Sequence, residues 1–349
     1  MADLRIDCSR GEGGGQIVRT ALALAVTLGH PLVLTNIRAN RRRPGLQPQH
    51  LAAVRALAAI SRADVRGAEL DSCELEFRPR DLRGGDYRID VAELRGSAGS
   101  TTLIFQALLL PLVHAAEPSH LTLLGGTHVP WSPPLHYVRD VFLPAVRGLG
   151  VDSRVSLVRW GWYPAGGGMI EADVSPASML RGLRADEPPP LAHVVGMSAV
   201  SSLPRAIADR QAHQARDRLS REGVTATIET VEDVTARGPG TFVGLVVPGR
   251  AGFSALGRRG VPAERIADEA VDALLAYRAS RGALDAHLAD QLLPFLVLAR
   301  EPSSFTCEAI SPHLRTLAWV LGELVPVSIE LDEGPPARVR TLPHGGTHP

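Results

Sequence analysis

Apolar and polar positions along this chain change period at regular intervals. Residues 4–7 alternate as a strand does, a run of glycines follows, and residues 16–28 carry apolar side chains at helical spacing. Residues 32–37 form a β-type run, residues 48–60 an alanine- and leucine-rich helix, and two short strands end near Phe77. The order then starts again. Residues 87–91 predict a strand, a glycine-rich turn follows at GSAGS, and 101–113 predict an apolar helix. Next come a strand over 121–124, a helix over 135–149, and strands over 155–158 and 169–174. Each pass reads β-α-β-α-β-β, which suggests duplication, because each sheet needs its helices to cover one face.

A third pass is split. Its late half predicts a helix over 287–298, a strand over 305–308, a helix over 312–324 and a strand over 326–331. Before it lies a stretch with its own βαββα pattern: strands over 194–200, 225–229 and 242–247, helices over 205–221 and 263–279. The proline run at 186–190 and Gly282 are natural borders. The expected class is α+β. A large domain occupies 1–184 and 283–331, a small domain at 185–282 is inserted into the third unit, and 332–349, rich in Pro, Gly and His, is expected to be disordered.

Composition then removes chemistries. The chain has 349 residues and zero formal net charge, and all 37 basic residues are arginine. Without lysine there is no Schiff base, no P-loop lysine and no lysyl-AMP intermediate. Neutral balance argues against a non-specific nucleic-acid coat but leaves room for a local basic groove. Cys8, Cys73 and Cys307 are too few and too far apart for a disulfide framework. The N-terminus has no apolar signal segment, and the apolar run over 102–116 is too short to span a bilayer. A cytoplasmic protein without membrane contact is expected.

Several segments could carry chemistry. Gly11-Glu12-Gly13-Gly14-Gly15-Gln16 joins a strand to a helix, where converging N–H groups suit an anion. Glu12 in that loop fits phosphate only through a divalent cation; a tight turn with a solvated glutamate is the alternative. GSAGSTT occupies the same place in the second unit and either caps the helix or touches phosphate. Gln106 is the one polar residue of the helix that follows. Arg38, Arg41, Arg42 and Arg43 form either a phosphate grip or a solvated surface. Ser311-Pro312-His313 reads as N-cap, N1 and N2 of a helix. The positive helix end keeps such an imidazole neutral and welcomes phosphate, so His313 either attacks phosphorus or is an idle terminal residue. His287, Asp290 and Gln291 share one helix face, as a ligand site or as an exposed first turn. The remaining histidines show no metal-binding spacing and are expected to be structural or at the surface.

Together these motifs resemble the RNA 3′-terminal phosphate cyclases over nearly the whole chain. The resemblance is carried by GEGGGQ (11–16), IRANRRRPGLQPQHL (37–51), GSAGSTTLIFQ (96–106), GGTHVPWSPP (125–134), GWYPAGGG (161–168), GFSALGRRG (252–260), LADQLLPFLVLA (288–299) and SPHLRT (311–316). It implies three βαβαββ repeats, as in the enolpyruvyl transferases, with a small thioredoxin-like domain inserted in the third. It also implies ATP-dependent conversion of an RNA 3′-phosphate to a 2′,3′-cyclic phosphodiester, through a histidyl-AMP and an RNA adenylate. By motif position His313 would be the nucleophile and Glu12 would hold a divalent metal, Mg or Mn. Gln106, Pro133, Phe253, His287, Leu288, Ala289, Asp290 and Gln291 would line the ATP site. Arg19, Arg38, Arg41 and Gln49 would contact RNA phosphate or triphosphate. The chain departs from the family pattern in having His287 where tyrosine is usual and Leu317 where asparagine is usual. Two other readings compete: a non-catalytic RNA or ribosome-assembly scaffold, whose relatives lack the nucleophilic histidine, and an enolpyruvyl transferase, whose basic residues commonly include lysine.

Overall fold

The computed structural model describes residues 4–91 and 98–343. Gly96 and Ser97 of the second glycine-rich turn, and the last six residues of the tail, lie outside the described residues.

The first unit runs β1 (Leu4–Asp7), α1 (Gly15–Leu28), β2 (Leu32–Thr35), α2 (Pro48–Ser61), β3 (Asp64–Arg66) and β4 (Leu75–Arg78). Its sheet has the order β1-β2-β4-β3, parallel between β1 and β2 and antiparallel elsewhere. The second unit has β5 (Gly85–Asp90), α3 (Thr101–Leu112), β6 (Ser119–Gly125), α4 (Leu135–Tyr137), a π-helical turn (Val138–Phe142), α5 (Leu143–Gly148), β7 (Ser153–Arg159) and β8 (Gly168–Val174). Its order, β5-β6-β8-β7, repeats the same pairing senses.

A two-residue strand, β9 (Arg184–Ala185), comes next. After it the chain leaves for β10 (His193–Ser201), α6 (Ala206–Arg221), β11 (Thr225–Asp233), β12 (Gly240–Val247), β13 (Ala251–Leu256) and α7 (Ala263–Ser280). These strands form a sheet of their own, β11-β10-β12-β13. The chain then returns through α8 (Ala286–Leu296), β14 (Ser303–Cys307), α9 (Pro312–Leu324), β15 (Val327–Asp332) and β16 (Ala337–Pro343). Strand β9 pairs parallel with β14, and β16 lies antiparallel between β14 and β15. Read β9-β14-β16-β15, this sheet has the strand order of the first two.

Three features differ from expectation. The segment beyond Asp332, expected to be disordered, supplies the inner strand β16, in which Ala337, Val339 and Thr341 are buried while Arg340 and Leu342 point out. Its period-2 pattern lies just after Gly334-Pro335-Pro336, and pairing on both sides supplies backbone partners that the strand could not find alone. Strand β13 was not anticipated, and β9 straddles the expected border at 184/185.

The units share one core in which α1 packs on α3 and α9, and α8 packs on α9. Each fully buried leucine or isoleucine there contributes about 2 kcal/mol of apolar transfer free energy. The sheet β11-β10-β12-β13 has a separate core with α6 and α7. A small aromatic cluster of Trp160, Trp162 and Phe242 joins the second unit to the sheet β11-β10-β12-β13. His128 and His136, expected to be structural or at the surface, are buried in that cluster, with Nε2 of His128 2.8 Å from Nδ1 of His136. The α1–α3–α9–α8 arrangement gathers the candidate residues, because the first turns of α1, α8 and α9, carrying Gln16, His287 and His313, meet the middle of α3 at Gln106.

Candidate functional site

Glycines 11 to 15 bring the first unit against the start of α9. Gly11 has φ +61°, and a Cβ there would lie 2.2 Å from Thr316 Oγ1, so both conformation and space demand glycine. Thr316 Oγ1 donates to the Pro312 carbonyl at 2.9 Å and accepts the Glu12 N–H at 3.2 Å. This seats Glu12 beside His313. The His313 Nδ1 lies 3.0 Å from Glu12 Oε2 and 2.8 Å from Gln16 Oε1. Two acceptors at one ring nitrogen place the proton on Nδ1 and leave the lone pair on Nε2. Ser311 caps α9 by accepting the Leu314 N–H at 3.0 Å, with Pro312 at the first helical position. Burial pulls the His313 pKa below its ordinary value; Glu12 opposes, while His287, Arg19 and Arg41 add to the lowering. The ring is therefore neutral at neutral pH and half-exposed, as a nucleophile requires.

His313 lines a cavity of about 580 Å³. Gln16 and Arg19 of α1 and Gln106 of α3 line it, with His287, Asp290 and Gln291 of α8 opposite. Pro133 and Phe253 line it as well. Gln106 Nε2 donates to Gln291 Oε1 at 2.7 Å, joining the second unit to the third. Asp290 is buried, and burial together with the nearby Asp285 pushes its pKa well up, against the pull of Arg19. Burial lowers Arg19 to about 10, with Asp290 opposing. A cation and an acid of raised pKa thus face the same space.

Other predicted residues lie elsewhere. Leu288 and Ala289 are fully buried on the core side of α8 and do not line the cavity. Arg41 reaches the mouth, its Nη2 3.7 Å from Glu12 Oε2 and close over Gly14. Arg38, at φ +54°, donates from Nη1 to the carbonyl of Arg43 at 3.0 Å and that of Gly45 at 3.4 Å, holding its own loop. Gln49 sits half-buried in the first turn of α2, outside the lining. His287 and Leu317, the two departures from the family pattern, both line the cavity.

The motifs did not single out four residues that the structure brings in. Gln16 binds the nucleophile candidate, and Trp131, 94% exposed, stands at the cavity wall. Tyr137 lines the cavity and donates to Asp285, a buried carboxylate at the N-cap of α8. Gln16 and Trp131 lie inside quoted motifs, so their signal was present. Tyr137 and Asp285 are 148 residues apart, and no local pattern pairs them.

Among the described residues no three His, Cys, Asp or Glu side chains gather as a metal cluster, and no helix is long and apolar enough to cross a membrane. Residues 10–331 match the family model for RNA 3′-terminal phosphate cyclase. A Methylococcus capsulatus protein named RNA 3′-terminal phosphate cyclase is 48% identical over 341 residues, covering 95% of this chain and 94% of that one. An Archaeoglobus fulgidus protein of the same name is 43% identical over 322 residues, covering 91% and 94%. Among solved structures, EPSP synthase from Acinetobacter baumannii aligns over 99% of this chain and 68% of its own, at 9% identity and a TM-score of 0.31, too weak a likeness to carry an argument.

Proposed function

Because this chain belongs to the RNA 3′-terminal phosphate cyclase family, we propose that it converts an RNA 3′-phosphate end to a 2′,3′-cyclic phosphodiester at the expense of ATP, with His313 as the adenylated nucleophile. The observation that carries this reading is the neutral His313 ring, held through Nδ1 by Gln16 and Glu12 with Nε2 left for attack. A phosphate monoester has no good leaving group, and forming an anhydride with AMP supplies one.

In the first step Nε2 attacks the α-phosphorus of ATP, a P–N bond forms, and pyrophosphate leaves. An oxygen of the RNA 3′-phosphate then displaces His313 from that phosphorus. Last, the neighbouring 2′-OH attacks the RNA phosphorus, its proton is lost, and AMP leaves. In this reading Pro133 and Phe253 flank the base, and the amides of Gln106 and Gln291 and the Asp290 carboxyl offer polar contacts. Arg19 in the cavity lining and Arg41 beside Glu12 are proposed to meet phosphate oxygens, in keeping with a chain whose cations are all arginine. Arg38 and Gln49 are proposed to contact RNA along the neighbouring loop and α2.

Glu12 suits a divalent ion as a single carboxylate ligand, with phosphate oxygens and water completing the shell, as is usual for Mg. Such an ion would neutralise charge on the phosphates. We further read the three sheets of shared strand order as three copies of one βαβαββ unit, and the sheet β11-β10-β12-β13 with its two helices as an inserted thioredoxin-like domain. The three free cysteines suit a reducing compartment, and the cytoplasm is the proposed location.

The test is a 3′-phosphorylated oligoribonucleotide incubated with protein, ATP and Mg. A phosphatase-resistant terminus that requires ATP supports the cyclase. RNA binding with the terminus unchanged and no AMP transfer would instead favour the scaffold reading.

A further inference from the structure

One side chain ties three walls of the cavity together. Asp285 caps α8, its Oδ1 accepting the N–H groups of His287 and Leu288, both at 2.8 Å. Its Oδ2 accepts the Gly252 N–H of β13 at 2.9 Å. The Tyr137 hydroxyl of α4 donates to the same carboxylate, 3.0 Å from Oδ1 and 3.1 Å from Oδ2. In addition, the Asp285 N–H donates to the Arg250 carbonyl at 3.1 Å, in the turn between β12 and β13.

Each donor stands next to a cavity residue. Gly252 precedes Phe253, His287 opens the turn that carries Asp290 and Gln291, and Tyr137 itself lines the cavity beyond Pro133. The contact is close-fitting: a Cβ on Gly252 would lie 2.7 Å from Tyr137 Cδ2. Asp285 is 1% exposed, and a buried carboxylate is tolerated only while its donors stay in place. Those donors come from the second unit, the insert and the third unit, so the carboxylate fixes their spacing.

We propose that Asp285 is a positioning residue for the nucleotide end of the cavity, a clasp that sets the distance between Phe253 on the insert and the first turn of α8. The inference rests on the ATP-dependent reading above. It makes the inserted domain part of the nucleotide site rather than an appendage, since its strand β13 is held to that site by this carboxylate.

The experiment uses the full chain and the variants Asp285→Asn and Tyr137→Phe, with circular dichroism to establish folding. Initial rates of self-adenylation against MgATP give a half-saturating concentration and a maximal rate. Amide exchange without nucleotide follows β13 and the start of α8. Asn keeps the shape but sets an amide N–H₂ against the donors. Asp285→Asn should raise half-saturating ATP about tenfold while the maximal rate stays within about threefold, and should speed exchange in both segments. Tyr137→Phe removes one donor and should raise half-saturation about threefold.

Unchanged half-saturation in folded Asp285→Asn overturns the proposal. So does a fall in maximal rate alone, because that marks a structural role only. If Asp285→Asn does not fold, unchanged half-saturation in Tyr137→Phe is the overturning result. Wild-type protein that fails to take AMP from ATP would refute the proposed function, and the exchange data would then decide the clasp, with unaltered exchange refuting it.

Discussion

At His313 two opposing influences set the protonation state. Burial and the cations Arg19 and Arg41 disfavour the imidazolium, while Glu12 at 3.0 Å favours it, and the net shift is downward from 6.5. In the proposed mechanism the neutral ring is the nucleophile, so self-adenylation at saturating MgATP should hold its plateau below pH 6.5 and fall only at more acid pH. Glu12→Gln removes the one influence that raises this pKa. Its acid limb should therefore move to lower pH, and its requirement for metal should increase. A pH–rate profile of the two proteins checks both, and an acid limb moving upward in the variant contradicts the assignment. At this scale the sequence revealed residues embedded in motifs, such as His313, Glu12 and Gln106. It did not reveal the Tyr137–Asp285 pair, because a partnership between distant segments leaves no periodic trace. Leu288 and Ala289 were swept in with their motif although a helix presents only some of five consecutive residues to one side.

Among the elements, α9 was the most legible. Ser311 and Pro312 mark its start chemically, and its bounds Pro312–Leu324 are those the pattern predicts. Short strands were the least legible. Two residues in β9 carry too little pattern to read, and β13 is six residues in which Gly252 and Ser254 alternate with Ala251, Phe253 and Ala255, a pattern short of the bulky β-branched side chains that mark strands. The loop that meets α9 is held to glycine by close approach. Gly11→Ala would combine a left-handed φ with a clash on Thr316, costing about 2 kcal/mol. It should lower the thermal midpoint by several degrees and slow self-adenylation, since Glu12 can no longer accompany Thr316. A variant with wild-type midpoint and rate would show that the loop does not depend on this contact.

For the whole molecule, the alternation of strands and helices was legible because each sheet needs helices to cover one face; three of the sheets it forms share one strand order. The contact between the second unit and the sheet β11-β10-β12-β13 was not legible, because it is built from aromatic rings and histidines drawn from separate segments. There His136 is buried and its pKa falls to about 4, chiefly through burial. An unfolded chain takes up a proton near pH 6.5 that the folded ring refuses until about pH 4, so this group withdraws stability as pH falls through that window. The withdrawal amounts to on the order of 3 kcal/mol. Asp285, raised to about 6 by burial, acts in the opposite direction below that pH, so the comparison must be made between variants. Denaturant melts at pH 7 and pH 4.5 should show a smaller acid loss in His136→Phe than in the wild type. An equal loss in both proteins would remove His136 from the account.

The proposed function turns on transfer of AMP to one imidazole. Incubation with ATP labelled at the α-phosphate and Mg, followed by denaturing electrophoresis, measures that transfer directly. The account predicts an acid-labile, alkali-stable label on the wild-type chain and none on folded His313→Ala. Labelling that survives in His313→Ala would contradict it.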